Sequence, residues 1–159
     1  MNMKQLLLIL ITMVCGSVHA QSNMHISDLF EGKVVPASQM VETRIRGKAI
    51  SQYKLTYFHS VRFKADEALV KRVDHLAVKD FVNDSEKLKD RKPDSRGFYH
   101  SNSLKVANGK KSFTQMYELA PYGSTNRYLC YKVVDDVMTV IYLEGSVSSL
   151  DELKKIFKD

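Results

Sequence analysis

The sequence has no tryptophan, three prolines, seven glycines and only two cysteines in 159 residues. So little cysteine excludes a disulfide-rich scaffold, and so little proline and glycine excludes collagen-like and low-complexity classes. What is present is typical of a globular chain, with 44% hydrophobic and 26% charged residues. A chain of this length and composition predicts one folded domain rather than two.

Long apolar runs are also lacking after residue 20, so no transmembrane helix is predicted in that part of the chain. The first twenty residues have the pattern of a secretory signal peptide. Lys4 provides the positive charge, residues 6–14 are nearly all apolar, and Val18 and Ala20 are small residues before a cleavage site. We therefore expect cleavage after Ala20 and export to the periplasm or the medium. Cys15 leaves a lipoprotein anchored at that cysteine as an alternative.

Removal of the segment 1–20 would leave residues 21–159 as a single domain with Cys130 as its one cysteine. One cysteine cannot form an internal disulfide, so this domain must be held together by its hydrophobic core. Cys130 lies in the middle of a predicted strand, and we expect a small buried side chain there rather than a nucleophile.

Hydrophobic periodicity predicts strands and helices along the rest of the chain. Period-two alternation predicts strands over Met40–Arg46 and Tyr53–Lys64, with Phe58 as an apolar exception on the polar side of the second. Helical spacing follows from Asp66 to about Asn83. A helical turn capped near Ser27 is predicted before the first strand.

Two hairpins and a short helix are predicted in the C-terminal half. Asn108-Gly109 is a favourable two-residue turn between strands, and Asp135-Asp136 joins Arg127–Val134 to Val137–Glu144. Ser149, followed three residues later by glutamate, is a capping-box signature. The order of elements predicts a single α+β domain, with an antiparallel sheet of about four to six strands and both a long helix and a C-terminal helix packed on one face.

Three segments of the C-terminal unit, Arg127–Tyr131, Val137–Gly145 and Ser149–Leu153, resemble the ending of small exported domain-of-unknown-function families of Bacteroidetes. In those families a strand hairpin ends in a glycine and a short helix. The segment Met24–Lys33 is similar to their N-terminal segment. The resemblance implies a fold and a compartment, but no catalytic residue can be transferred from it.

The sequence contains no metal-binding motif, nucleophile elbow or phosphate-binding glycine loop, and we expect neither a metal nor a cofactor. His59 lies on the apolar face of its strand and is expected to be a hydrogen-bonded sheet histidine. The alternative is a small metal-independent hydrolase, similar to a ribonuclease or phosphodiesterase, with His59 or His100 as catalytic residue. That alternative requires His59, His100, Glu118 and Lys132 to meet on one face of the sheet.

Six tyrosines fall on predicted strands, and two interpretations remain open. They are either ordinary half-buried sheet residues or a contact surface for carbohydrate or protein. They are Tyr53, Tyr57, Tyr117, Tyr128, Tyr131 and Tyr142.

The positive charge is concentrated in a polar loop and hairpin at about residues 84–111. Since an exported protein rarely meets nucleic acid, we expect no nucleic-acid partner; the candidate partners are a lipid headgroup, a polysaccharide or an acidic protein of the cell envelope. A solvated loop without a partner is the alternative. The possible anion contacts are Lys87, Lys89, Arg91, Lys92, Arg96, Lys105, Lys110 and Lys111.

The preferred hypothesis for the whole protein is an exported, non-catalytic binding or accessory module.

Overall fold

The computed structural model describes residues 23–85, 100–107 and 109–157. These residues form an open antiparallel sheet of six strands in the order β1-β2-β6-β5-β4-β3, together with helices, so the predicted α+β class is confirmed. The strands are β1 Val41–Arg46, β2 Leu55–Lys64, β3 His100–Ala107, β4 Lys110–Tyr122, β5 Thr125–Val134 and β6 Val137–Gly145. The helices are α1 Ser27–Phe30, α2 Glu67–Ser85 and α3 Leu150–Ile156, with 3₁₀ helices at Ala37–Gln39 and Gly47–Tyr53.

The sheet carries a hydrophobic core on each of its two faces. On the first, which we call the α2 face, Val73 and Ala77 of α2 belong to one buried cluster with strand residues such as Leu129. On the second, the α3 face, Leu150 and Leu153 of α3 belong to a separate cluster. The prediction that both helices share one face of the sheet is therefore wrong.

The physical reason is that the central strands are apolar on both sides. In β5, Leu129 and Tyr131 point to the α2 face, whereas Tyr128 and Cys130 point to the α3 face. A strand that is apolar on both sides needs cover on both sides. The same arrangement explains the exception noted in β2, since Phe58 packs against the cluster of the α3 face.

The predicted hairpins are confirmed by the strand pairing. Ala107 pairs with Lys110 across the first turn, where Gly109 has a φ of +74°, and Val134 pairs with Val137 across the second. A third hairpin joins β4 to β5, with Tyr122 paired to Thr125. A register shift between Leu119 and Tyr122 accommodates Pro121, which cannot donate a hydrogen bond to the ladder.

The N-terminal turn is held by a helix distant in sequence. The carboxylate of Asp80 in α2 accepts hydrogen bonds from the backbone N–H groups of His25 and Ile26 at 2.7 and 2.8 Å. Ser27 was predicted near the cap, but its hydroxyl instead donates to the carbonyl of Met24. The cap of α1 is thus supplied by a tertiary contact.

The predicted cap of α3 is confirmed with one change. The Ser149 hydroxyl accepts from the N–H of Glu152 at 3.2 Å, whereas the Glu152 carboxylate accepts from the N–H of Ser148 at 2.7 Å. Glu152 also forms an ion pair with Lys54. Hydrogen bonds from Lys54 and Ser148 lower the pKa of Glu152 to about 2. These contacts fix the start of α3 against one end of the sheet.

Candidate functional site

The hydrolase arrangement considered from sequence does not form. His59 lies in β2 and His100 in β3, and three strands separate them in the sheet. At about 4.8 Å per strand, this separation amounts to roughly 19 Å. Glu118 and Lys132 each lie two residues along their strand from a residue of the α3-face cluster, Met116 and Cys130, so both are on the α3 face. His59 lies on the α2 face. The four residues therefore do not converge.

His59 is a hydrogen-bonded sheet histidine, as predicted. Only 2% of it is exposed, and the Phe30 ring lies 4.3 Å from its own ring. Its Nε2 atom is 2.6 Å from Oε1 of Glu42 and 3.2 Å from Nε of Arg44. Burial lowers the pKa of His59, and the hydrogen bond to Glu42 offsets this only in part.

Glu42 of β1 contacts both this histidine and Arg44. Its Oε1 atom also lies 2.6 Å from Nη2 of Arg44. Burial alone would raise the pKa of Glu42, but hydrogen bonds from His59 and Arg44 outweigh it and lower that pKa. The group is a compact ion-pair cluster that links the edge strand β1 to β2.

Cys130 is buried at 4% exposure, which confirms the prediction of a small buried side chain. Burial raises the pKa of its thiol to about 12, so the thiol stays protonated at neutral pH. A protonated thiol is a poor nucleophile. Its chemistry in the fold is therefore that of an apolar residue.

Most of the strand tyrosines are core residues rather than a contact surface. Tyr57, Tyr117, Tyr128, Tyr131 and Tyr142 are all buried. Two of their hydroxyls reach close acceptors within the fold: that of Tyr128 donates to the Val147 carbonyl at 2.7 Å, and that of Tyr131 to Asp74 at 2.6 Å. Burial is more complete than predicted because both faces of the sheet are covered.

The α3 face changes from apolar to cationic along the strands, because α3 has only seven residues and covers one end of the sheet. Three rows of paired residues show the change. Under α3 the row is Phe58, Leu143, Tyr128 and Glu118. The next row is Ser60, Ile141, Cys130 and Met116. The third is Arg62, Thr139, Lys132, Thr114 and Ser103.

The outer part of this face carries cations with hydroxyl groups between them. Arg62, Lys132 and Lys105 are all exposed, and within the described part of the chain none of them forms an ion pair within 4 Å. Among the described strand residues of this face, the acidic one is Glu118, which is fully buried in the row under α3. We call Arg62, Lys105, Lys132 and the hydroxyl residues Ser103, Ser112, Thr114 and Thr139 the basic face.

A pocket of about 400 Å³ lies where the basic face meets the end of α3. Small-molecule pockets typically have volumes of about 300–1,000 Å³. The Lys154 ammonium, at its helical wall, is 3.4 Å from the Asp151 carboxylate. We call this pocket the sheet–helix pocket. Its lining residues are Asn102, Ser103, Lys105, Ser112, Thr114, Met116, Cys130, Tyr131, Lys132, Ile141, Lys154 and Phe157.

The basic segment singled out from sequence is only partly described. Lys105 lies on the basic face, and Lys111 is exposed but belongs to the opposite side of the sheet. Lys110 is placed in β4 by its pairing with Ala107. The other candidates lie outside the described residues: Lys87, Lys89, Arg91, Lys92 and Arg96.

Sequence reasoning missed Arg62 and considered Lys132 only for the hydrolase alternative. Arg62 lies on the polar side of the predicted strand Tyr53–Lys64, but charge counting along the chain found no excess of positive charge there. The cations come together only because β2 and β5 both pair with β6.

A family model described as a family of unknown function, DUF6108, matches residues 13–157. The chain belongs to this family. The matched range includes every segment on which the resemblance to a domain of unknown function was based, so that part of the prediction is confirmed. No curated protein matches the sequence.

None of the helices of this DUF6108 chain within the described ranges is both long and apolar enough to cross a membrane. In the same ranges, no group of three or more histidine, cysteine, aspartate or glutamate side chains is arranged to hold a metal ion. The basic face and the sheet–helix pocket combine exposed cations, hydroxyl groups and a concave lining, and they form the candidate site.

Proposed function

We propose that this DUF6108 chain is an exported, non-catalytic binding module that takes up an anionic component of the cell envelope on the basic face. The observation that carries the proposal is the row Arg62–Thr139–Lys132–Thr114–Ser103, which presents cations and hydroxyl groups from neighbouring strands. Such a surface attracts anions, and hydroxyl groups can donate hydrogen bonds to their oxygen atoms.

Two further observations support binding rather than catalysis. The imidazole of His59 is buried and already contacts Glu42 and Arg44, so it is not available as an acid or base for an external substrate. The thiol of Cys130, which lines the pocket, is kept protonated by burial. The signal-peptide pattern of residues 1–20 supports export.

The test is a charge reversal on the basic face, with dextran sulfate as the polyanionic probe. We expect the double variant Arg62→Glu/Lys132→Glu to bind at least tenfold more weakly than the wild type at low salt. The matched control is Arg72→Glu/Lys79→Glu, two exposed cations of α2 whose reversal changes the net charge equally. The control is expected to retain affinity within about twofold.

Circular dichroism of both variants establishes that they are folded before binding is compared. An equal loss in both variants would show that net charge alone drives binding and would contradict the assignment to the basic face. Wild-type affinity in Arg62→Glu/Lys132→Glu would also overturn it.

A further inference from the structure

The sheet–helix pocket differs in character from one end to the other. Lys105 and Lys132 line it at the outer rows of the sheet, whereas the apolar residues Met116, Ile141 and Phe157 line it nearer to α3. The row that contains Lys132 is two residues from the row that contains Met116 and Ile141. At about 3.3 Å per residue, the change takes place over roughly 7 Å.

This polarity favours an amphiphile over other anions. A polysaccharide or an inorganic anion would leave the apolar wall of Met116, Ile141 and Phe157 exposed to water. A wholly apolar molecule would reduce the hydration of Lys105 and Lys132 without offering them an anion, which is costly. A ligand with an anionic head and an aliphatic tail satisfies both ends.

A second pocket extends the apolar end. It has a volume of about 350 Å³ and shares Phe157 with the first pocket as a wall. A tail that is too long for the first pocket would pass Phe157 into this second pocket, at the C-terminal end of α3. Its lining is wholly apolar or aromatic: Ile45, Ile50, Tyr53, Leu55, Phe58, Ile156 and Phe157.

We propose that the sheet–helix pocket binds a single-chain amphiphilic anion, a monomeric aliphatic carboxylate or phosphate ester, with its head at Lys132 and Lys105 and its tail along Met116, Ile141 and Phe157. The proposal rests on the anion-binding function above and specifies its ligand. It accounts for both the charge and the apolar surface of one concave site. Cys130 supports it, since its buried thiol adds to the uncharged part of the lining.

Calorimetric titration of the mature protein with acetate, hexanoate, octanoate and decanoate tests the tail. Each buried methylene is expected to strengthen binding by about fourfold, until the pocket is filled. Decanol, which lacks the charge, is expected to bind at least tenfold more weakly than decanoate. Decyl phosphate is expected to bind in place of decanoate, since both heads offer anionic oxygen atoms.

Two variants separate the head from the tail. Lys132→Met keeps much of the side-chain length and is expected to weaken decanoate about tenfold while leaving decanol unchanged. Phe157 is 44% exposed. Phe157→Ala is expected to reduce the gain in affinity with increasing chain length and to leave the affinity for acetate unchanged. Lys79→Met, an exposed lysine of α2, is the matched control and should bind every probe as the wild type does.

The outcomes distinguish this inference from the anion-binding function. If acetate or inorganic phosphate binds as tightly as decanoate and this binding depends on Lys132, the proposal of an amphiphilic ligand is wrong and the anion-binding function stands. If decanol equals decanoate, the site is merely apolar and the inference fails. Binding to phosphatidylglycerol vesicles without binding to monomeric decanoate or decyl phosphate would assign the face to a membrane surface and overturn it. If neither dextran sulfate nor any carboxylate binds, both proposals fail.

Discussion

The imidazole of His59 is buried in the sheet, and its Nε2 atom lies 2.6 Å from the carboxylate of Glu42 and 3.2 Å from Nε of Arg44, both in the edge strand. Alternation along β2 was enough to place His59 on an apolar face. Its partners could not be predicted in the same way, since they come from β1, 15 and 17 positions away. Residue types and periodicity therefore predicted the burial of this side chain but not its chemistry.

The lowered pKa of His59 makes a prediction about stability and pH. The unfolded chain binds a proton at the ordinary value of 6.5, whereas the folded protein resists protonation. Stability is therefore complete above about pH 6.5 and falls as the pH drops below that value. We expect His59→Gln to lose less free energy of unfolding between pH 7.5 and pH 5 than the wild type does.

Urea denaturation at several pH values across this range measures the effect. The control is His75→Gln, because His75 is exposed on α2 and should leave the pH dependence of the wild type intact. Parallel pH dependence in wild type and His59→Gln would contradict the prediction.

At the scale of elements, the short helix α1 depends on a contact with α2 for the hydrogen bonds at its N-terminus. α1 has four residues and no side-chain cap of its own, and Asp80 of α2 satisfies the N–H groups at its start. Asp80 is 5% exposed, and burial raises its pKa although backbone hydrogen bonds oppose the shift. The carboxylate is thus held in a site where its acceptors are already used.

Replacement of Asp80 tests this contact. Asp80→Ala leaves two backbone donors without their acceptor, one of them buried and one partly buried, and we expect a loss of roughly 1–3 kcal/mol in the free energy of unfolding. Asp80→Asn retains one acceptor oxygen and should lie between Asp80→Ala and the wild type. Urea denaturation at pH 7 gives all three values. A stability for Asp80→Ala equal to that of the wild type would show that α1 is held by its apolar contacts instead.

The elements themselves were largely predictable, because their signals are local. Period-two alternation found β2, the Asn108-Gly109 and Asp135-Asp136 turns found two hairpins, and Ser149 marked the start of α3. The faces on which α2 and α3 pack were not predictable from those signals. That arrangement depends on how the strands line up side by side, which periodicity within one strand does not encode.

The same limit applies to the basic face at the scale of the whole molecule. Counting charges along the chain directed attention to residues 84–111, yet Arg62 and Lys132 lie in one row with neutral Thr139 between them. Their proximity follows from the strand order β2-β6-β5. Strand order is a property of the complete sheet, so this part of the candidate site could be recognised only in three dimensions.

Export is the prediction that concerns the complete chain. Expression of residues 1–159 in a bacterium is expected to yield a protein that begins at Gln21, as measured by intact mass and N-terminal sequencing of the periplasmic fraction. Ala20→Asp should block this processing, whereas Cys15→Ser should leave it unchanged. A product that begins at Cys15 with a fatty-acyl mass would instead support the lipoprotein alternative. An unprocessed protein in the cytoplasm would contradict both.

The strand order also makes completion of the sheet depend on a single strand. β1 and β2 pair with each other, and β3, β4 and β5 pair in succession, but the two groups meet only through β6. β6 is the last of the six strands in chain order. A chain that ends before Val137 therefore holds two separate sheet fragments, and the six-stranded sheet is completed only once β6 is present.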